Sequence, residues 1–365
     1  MNLIVTSAAR LRESYGQAAA RRVLAAVDRL IAARAARGVV SRLILIEEGI
    51  AELGVSGAAV AAAGIAAQIA QAAQALERAG DLLESLLIVG GPEIVPFHLA
   101  ANPTAYDGDD VVPSDCIYGA CNPFAQLSDW PVGRLPGAAG DDPDLLLRLL
   151  EVAATAHPAD RLRKTFGYCT AAWRRSAAQV YATVDAPERL LVSPPIEAAT
   201  LDRARLDGAR LIYCNLHGVM DGPPWYGQLE EQSAWLVALR PSDIAGLDLR
   251  GAVVITEACY GAALHGRNED TSLALAMLAR GAIGFVGPTA ISYGPPTPPL
   301  GEADLIALHF LRALRRPGVT LGAAFVAARM GMLRDTLAQQ STLDEDDQKT
   351  LLEFVLYGDP TLVLG

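Results

Sequence analysis

Two residue types that carry covalent chemistry follow two separate hydrophobic runs in this sequence. The run in LIYCNLHGVM (residues 211–220) leads into His217 and Gly218, and the run in GAVVITEACYGAAL (residues 251–264) leads into Cys259. Thiol acyl transfer requires a thiolate that attacks an acyl carbon and an imidazole that deprotonates the thiol or protonates the leaving group. The pair therefore predicts a nucleophilic cysteine, Cys259, with His217 as its acid–base partner.

The glycine beside the histidine predicts a further part of such a site. Because Gly218 has no side chain, its backbone can approach a substrate carbonyl, and its N–H and that of Cys259 would form an oxyanion hole. Each residue alone has a simpler interpretation, since a lone cysteine is more often a small core residue and a lone histidine is usually structural. Their matching strand contexts, each with a glycine in the following turn, favour the catalytic interpretation.

Both runs belong to a regular alternation of predicted strands and helices. Such an alternation is typical of an α/β fold with a parallel sheet and helices on both faces, in which functional groups gather at the carboxyl ends of the strands. The predicted strands cover residues 3–5, 43–46, 86–89, 166–169, 211–216, 253–257 and 283–286. The predicted helices cover residues 18–37, 58–79, 171–184, 272–280, 302–313 and 321–337.

The segment from residue 102 to residue 140 is rich in proline, glycine and aspartate, and irregular segments of this length usually serve a function. We divide the chain into an N-terminal α/β subdomain, residues 1–155, which contributes this segment, and a catalytic α/β subdomain, residues 156–365. The boundary is placed in HPADR (residues 157–161). Near the end, LDEDDQK (residues 343–349) is interpreted as solvated loop or the start of a helix.

Composition excludes several classes of protein. The 365 residues are 52% hydrophobic and carry a net charge of −11, which argues against disorder and against a nucleic-acid binder, while it suits a cationic peptide. Five cysteines without CxxC spacing fit a reducing compartment, and no secretory signal is visible, so we expect a cytoplasmic protein. The uncharged run from Leu53 to Leu76 has glutamine at every third position over part of its length, which predicts a soluble helix rather than a membrane span.

Five motifs occur in a fixed order along most of the chain: LLIVGGPEIVPFH, then SDCIYG with WPVGRLPG, then the His-Gly and Ala-Cys strand ends, then VLYGDPTLVLG. In this order they resemble the gingipain family of caspase-type (clan CD) cysteine peptidases, although Pro92 stands where Asp or Ala is commoner in that family. The resemblance implies a caspase/gingipain-like α/β fold with two adjacent, helix-flanked subdomains. It also implies a cysteine endopeptidase that cleaves after arginine or lysine.

The resemblance implies roles for individual residues. His217 matches the catalytic histidine and Cys259 the nucleophile. Asp115 matches the aspartate at the floor of the specificity pocket in arginine-cleaving gingipains, and Glu257 matches an acidic position that lines this pocket in legumains and metacaspases. From the residues alone, Asp115 could instead cap a turn, and Glu257 could pair with a structural arginine.

No cofactor or metal is expected, since no HExxH or CxxC motif predicts zinc. Calcium stays open, because Asp107, Asp109 and Asp110 could bind it, orient the histidine, or form solvated loop. The expected partner is a protein or peptide substrate, with no nucleic acid and no membrane. We expect limited, regulated cleavage of that partner in a bacterial cytoplasm. The alternative is a catalytically idle or partner-activated caspase-like interaction module, against which the intact pair of His217 and Cys259 argues.

Overall fold

A computed structural model describes residues 1–122, 127–156 and 164–363. The strands are β1 (Asn2–Thr6), β2 (Ser41–Leu45), β3 (Gly49–Ile50), β4 (Val55–Ser56), β5 (Ser85–Val89), β6 (His98–Ala101), β7 (Val111–Ser114), β8 (Val132–Leu135), β9 (Thr165–Thr170), β10 (Leu191–Ser193), β11 (Leu211–Asn215), β12 (His217–Val219), β13 (Gly222–Gln228), β14 (Trp235–Leu239), β15 (Val253–Thr256), β16 (Gly284–Pro288) and β17 (Phe354–Gly358). The helices are α1 (Ala8–Ala36), α2 (Ala62–Arg78), α3 (Asp144–Thr155), α4 (Arg174–Tyr181), α5 (Pro241–Ile244), α6 (Leu273–Ala279), α7 (Glu302–Leu314), α8 (Leu321–Gln340) and α9 (Glu345–Glu353).

One sheet runs through the molecule. Within the described ranges it has 12 strands in the order β10-β9-β11-β15-β16-β17-β8-β5-β1-β2-β3-β4. Its pairs are parallel except for β16 with β17 and the short β2-β3-β4 end. The predicted α/β class with a parallel, helix-flanked sheet is therefore confirmed.

Strands β1–β5 and β8 form one block of this sheet, and strands β9–β11, β15 and β16 form another. Strand β17, the last strand along the described chain, pairs antiparallel with β16 and parallel with β8, where Tyr357 lies opposite Arg134. The late strand thus joins the early block to the later one. The predicted boundary at residues 157–161 lies outside the described residues, and the division at residue 155 stays a prediction.

The first helix shows how local residues fix an element. The sequence predicts a helix from residue 18, but α1 begins at Ala8, because the Ser7 side chain accepts a hydrogen bond of 3.0 Å from the Arg10 N–H. The backbone at Gly16 leaves the helical region, with φ +79°, a conformation that glycine adopts without a steric penalty. The predicted start thus lies just after this interruption.

The glutamine stripe of α2 contains one inward-facing member. Gln68 is buried and donates to the carbonyls of Ile46 and Ser56, both at 2.9 Å, whereas Gln71 and Gln74 are exposed. A buried amide is tolerated when hydrogen bonds replace its hydration. In the described part of the chain, no helix has the length and apolar character needed to cross a bilayer.

Candidate active site

The strands that carry the two reactive side chains are neighbours in the sheet. Strands β11 and β15 pair in parallel, with Cys214 opposite Thr256 near their carboxyl ends. His217 follows β11 within three residues of Cys214, and Cys259 follows β15 within three residues of Thr256. Both therefore lie at the same edge of the sheet, where parallel α/β folds collect functional groups.

Gly218 touches the backbone of the cysteine directly. A Cβ atom added to Gly218 would lie 1.9 Å from the carbonyl oxygen of Cys259 and 3.3 Å from its nitrogen. Only a residue without a side chain permits this approach. In the described part of the chain, the N–H of Cys259 donates to no backbone carbonyl. The two residues predicted to form an oxyanion hole are thus in contact.

The imidazole of His217 lies between two indole rings. Its centroid is 4.1 Å from that of Trp173, in the turn after β9, and 4.1 Å from that of Trp235, at the start of β14. Burial lowers the pKa of His217 to about 4, and a hydrogen bond with Gln228 acts in the opposite direction. The imidazole is therefore neutral at pH 7.

Gln228 is the residue whose side chain opposes the effect of burial on the pKa of His217. Its amide nitrogen donates to the carbonyls of Glu231 at 2.7 Å and Ser233 at 3.0 Å, so its orientation is held by the loop before β14. Nε2 of His217 has no partner among the described residues. In the neutral tautomer with the proton on Nδ1, Nε2 can accept a proton.

The thiol of Cys259 is protonated in the empty site. Its Sγ accepts from the Ser292 N–H at 3.4 Å, which lowers the pKa, but burial has the larger effect and raises the pKa of Cys259 to about 11. At neutral pH a neutral thiol therefore accompanies the neutral imidazole of His217. A thiolate must form as the substrate binds or reacts.

A cavity of about 130 Å³ lies next to the nucleophile and is called here the acidic pocket. It contains two buried carboxyl groups, those of Glu257 and Asp304. Asn215 donates to Oε2 of Glu257 at 2.9 Å, but Oε1 of Glu257 and both oxygens of Asp304 have no donor among the described residues. Its other walls include Trp173, Ser292 and Tyr293.

Burial makes both carboxyl groups hard to ionise. It raises the pKa of Glu257 to about 7, and it raises the pKa of Asp304 further from the ordinary range, with the nearby charge of Glu257 acting in the same direction. Strongly raised carboxyl pKa values in a cleft are typical of functional sites. The acidic pocket is therefore a candidate binding site for a group that can donate hydrogen bonds to its carboxyl oxygens.

The structure does not bring Asp115 into this pocket. Both oxygens of Asp115 accept hydrogen bonds from the buried guanidinium of Arg134, at 2.9 Å and 2.6 Å. Arg134 also donates to the carbonyls of Gly90 and Val95, at 2.9 Å and 2.8 Å. Asp115 is thus a partner of an internal cation. Glu257, in contrast, has Asn215 rather than an arginine beside it.

The aspartates considered for calcium contact an internal ammonium group. Lys349, fully buried in α9, donates to Asp107 and, at 2.7 Å, to Asp109. Helix α9 begins at Glu345, so of the two alternatives for residues 343–349 the helix start is confirmed. Asp110 is exposed. In residues 1–122, 127–156 and 164–363 no group of three or more His, Cys, Asp or Glu side chains could hold a metal ion. Asp107 and Asp109 thus already have a cationic partner, Lys349, within the chain.

The Lys349 cluster also supports the nucleophile loop. Asp109 accepts from the Tyr260 hydroxyl at 2.6 Å and from the Ile291 N–H at 2.8 Å. Tyr260 directly follows Cys259, and its φ of 55° is unusual for a residue with a side chain. The cluster thus connects α9 to both sides of the reactive thiol.

Three residues of the site are not predicted from the sequence. Trp173 is predicted only as part of a helix, and Gln228 lies in a stretch without a motif. Asp304 occupies the first turn of α7, where an acidic residue is expected for interaction with the helix dipole alone. Their roles depend on chain segments that meet only in the fold, so no local signal marks them.

Comparison with known protein families finds a match over most of the sequence. The sequence profile described as peptidase family C25 matches residues 2–161 and 226–365, and the unmatched interval contains His217. No curated protein matches the chain.

Similar solved structures include the Arg-specific cysteine proteinase gingipain R (RgpB), with a TM-score of 0.69 at 12% identity over 100% of this chain and 78% of that chain. The complex of Porphyromonas gingivalis RgpB pro- and mature domains gives 0.70 at 12% identity, over 100% and 80% of the two chains. These likenesses show the fold.

Proposed function

Because the chain belongs to peptidase family C25 and is a cysteine peptidase, we propose that it is an endopeptidase that cleaves after arginine or lysine. Cys259 is the nucleophile and His217 the proton carrier. The observation that carries the preference is the acidic pocket, which contains three carboxyl oxygens without a hydrogen-bond donor and is lined by Ser292, whose N–H contacts the thiol of Cys259.

The reaction begins from a neutral thiol and a neutral imidazole. As Sγ of Cys259 bonds to the scissile carbonyl carbon, its proton moves to Nε2 of His217, and the carbonyl oxygen becomes an oxyanion held by the N–H groups of Gly218 and Cys259. The C–N bond then breaks, and the imidazolium protonates the leaving amine. Water, deprotonated by His217, attacks the thioester, and its hydrolysis restores the thiol.

The preference for a cationic side chain follows from the cost of burying charge. A guanidinium or ammonium group in the acidic pocket gives Glu257 and Asp304 charge-assisted hydrogen bonds. An acidic side chain would add a third carboxyl group, and a neutral one would leave buried oxygens unpaired. The resulting discrimination in kcat/KM is on the order of 10² to 10⁴.

We extend the proposal to limited cleavage of a partner protein in the cytoplasm. All five cysteines are free, which fits a reducing compartment. The neutral thiol of Cys259 gives the resting enzyme low reactivity, which suits regulated rather than digestive cleavage. A similar structure is a complex of pro- and mature domains, which is consistent with control by a bound segment.

A panel of fluorogenic peptides that differ only in the residue before the scissile bond tests the proposal. Arginyl and lysyl substrates should be cleaved, aspartyl and neutral ones should not, and Cys259→Ala and His217→Ala should remove cleavage while the melting temperature stays near that of the wild type. Cys121→Ala, which removes an exposed cysteine, is the matched control. A preference for aspartate would refute the pocket assignment, and no cleavage of any peptide would favour an idle interaction module.

A further inference from the structure

We propose that Glu257 and Asp304 share one proton in the empty acidic pocket and release it when a cationic substrate side chain enters. Asp304 is then a specificity-determining residue that also sets the pH range of substrate binding. This inference rests on the proposed preference for arginine or lysine. A single carboxylate that is always ionised would also attract a cation, but cation binding would then release no proton. The shared proton therefore goes beyond the preference for a cationic side chain.

The pair is assembled from two distant segments. Glu257 directly follows β15, two residues before Cys259, and Asp304 lies in the first turn of α7. A Cβ added to Gly294 would make an ordinary contact of 3.6 Å with Oδ2 of Asp304, so this glycine lies next to the carboxyl group in the wall of the cavity. The free oxygens of the pair thus face a cavity that can accept a side chain.

Two buried carboxyl groups that line one cavity of about 130 Å³ do not both ionise without a cation beside them. Like charges in a shared buried site raise one of the two pKa values strongly, and the protons then leave in steps that belong to the pair. Glu257 and Asp304 affect each other's pKa, and a proton on one of them would supply the donor that their buried oxygens lack. The pair is therefore not fully ionised at neutral pH, and the state that the proposal requires holds one shared proton and a net charge of −1.

The titratable groups around the pair are mostly acidic or neutral, and the cation Arg174, at the start of α4, has a resolved effect on Cys169 rather than on either carboxyl group. Tyr213 from β11 faces Glu257, and Cys169 from β9 lies near the same carboxyl group. Glu302 from α7 lies near Asp304. Cys259 lies two residues after Glu257, in the loop that follows β15. Among the described groups with a resolved effect on either carboxyl pKa, none is cationic. The incoming side chain is the cation that allows full ionisation.

The charges before and after binding determine whether the affinity for arginyl peptides rises or falls with pH. In the empty pocket the pair holds one proton, and a guanidinium lowers the pKa of the remaining acid because it stabilises the second carboxylate. That proton passes to solvent, so the bound state has two carboxylates and one guanidinium. Because binding releases a proton, affinity for arginyl peptides rises with pH, by up to about tenfold per unit.

Titration calorimetry on the Cys259→Ala protein with a blocked arginyl peptide tests this inference between about pH 6 and pH 8. The binding heat should depend on the ionisation heat of the buffer, with up to one proton released per peptide. Asp304→Asn should weaken binding and abolish the buffer dependence, and Glu257→Gln provides a second variant with the same expectation. Glu302→Gln is the matched control, because it removes a neighbouring acid outside the pair and should leave the coupling intact.

The possible results distinguish a failure of the shared proton from a failure of the proposed preference for arginine or lysine. If arginyl peptides bind with a pH-independent affinity and no buffer-dependent heat, the shared proton is refuted and the peptidase specificity stands. If Glu302→Gln rather than Asp304→Asn removes the coupling, the pair is misassigned. If neutral peptides bind and arginyl peptides do not, the proposed function and this inference both fail.

Discussion

His217 and Trp235 stack face to face, with ring centroids 4.1 Å apart and ring planes at 17°. His217 is buried, whereas Trp235 is 45% exposed. The orientation of a buried imidazole therefore depends on an indole that solvent and substrate can reach. Trp173 covers the other face and also lines the acidic pocket, so the histidine and the pocket share a wall.

Removing the exposed indole should lower catalysis more than stability. Trp235→Ala should reduce kcat by tenfold or more, because the imidazole loses one of the two rings that hold it, while Trp235→Phe should retain most activity. Steady-state kinetics and thermal melting measure the two effects. Leu229→Ala removes another exposed apolar side chain near the site and should change neither. Equal losses in both tryptophan variants would contradict the stacking role.

The neutral thiol predicts an unusual pH dependence of alkylation. Because the pKa of Cys259 is raised to about 11, the thiolate fraction of the free enzyme should increase throughout the neutral and mildly alkaline range. The rate of inactivation by iodoacetamide should therefore rise with pH to at least about pH 9, by roughly tenfold per unit. His217→Ala should leave this profile unchanged, since the imidazole is neutral there. A plateau below neutral pH would instead indicate a preformed thiolate–imidazolium pair.

The ion pair between Asp115 and Arg134 should be a stability element. Asp115→Asn would leave the fully buried guanidinium of Arg134 without a counter-charge, at a cost of about 3–5 kcal/mol in the free energy of unfolding. Chemical denaturation measures this cost, and the peptide panel measures specificity. We expect a large loss of stability and an unchanged preference among the substrates still cleaved. Selective loss of arginine cleavage in a stable protein would restore Asp115 to the specificity pocket.

The ammonium group of Lys349 should balance the negative charges of Asp107 and Asp109, as a metal ion would. Lys349→Met would leave Asp107 and Asp109 without their ammonium partner, and it should destabilise the fold and lower activity through the Tyr260 contact. EDTA should change neither the melting temperature nor the activity of the wild type. Asp110→Asn, at an exposed neighbour, is the control. If EDTA lowers the melting temperature and calcium restores it, the chain binds calcium despite this ammonium group.

The sequence predicts the sheet well because the signal is local. Continuous hydrophobic runs such as residues 211–216 and 253–257 identify buried parallel strands, and strand ends tell where polar side chains emerge. His217 and Cys259 could be found in this way, and the structure places their strands side by side.

What the sequence does not predict depends on contacts between distant segments. Asp304 becomes notable only when α7 packs beside Glu257, and Asp115 receives its guanidinium partner only when β8 brings Arg134 beneath it. Residues 343–349 are rich in charge and therefore resemble a solvated segment. Composition cannot show that Lys349 is buried. The pairing of buried charges is thus the part that requires the fold.

The position of β17 has a consequence for synthesis of the chain on the ribosome. Every other described strand emerges before it, yet β17 lies between β16 and β8 in the middle of the sheet. Until residues 354–358 leave the exit tunnel, both neighbours present unpaired edges, which are prone to association with other chains. The two groups of strands on either side of β17 thus remain unjoined in the nascent chain until this strand has been made.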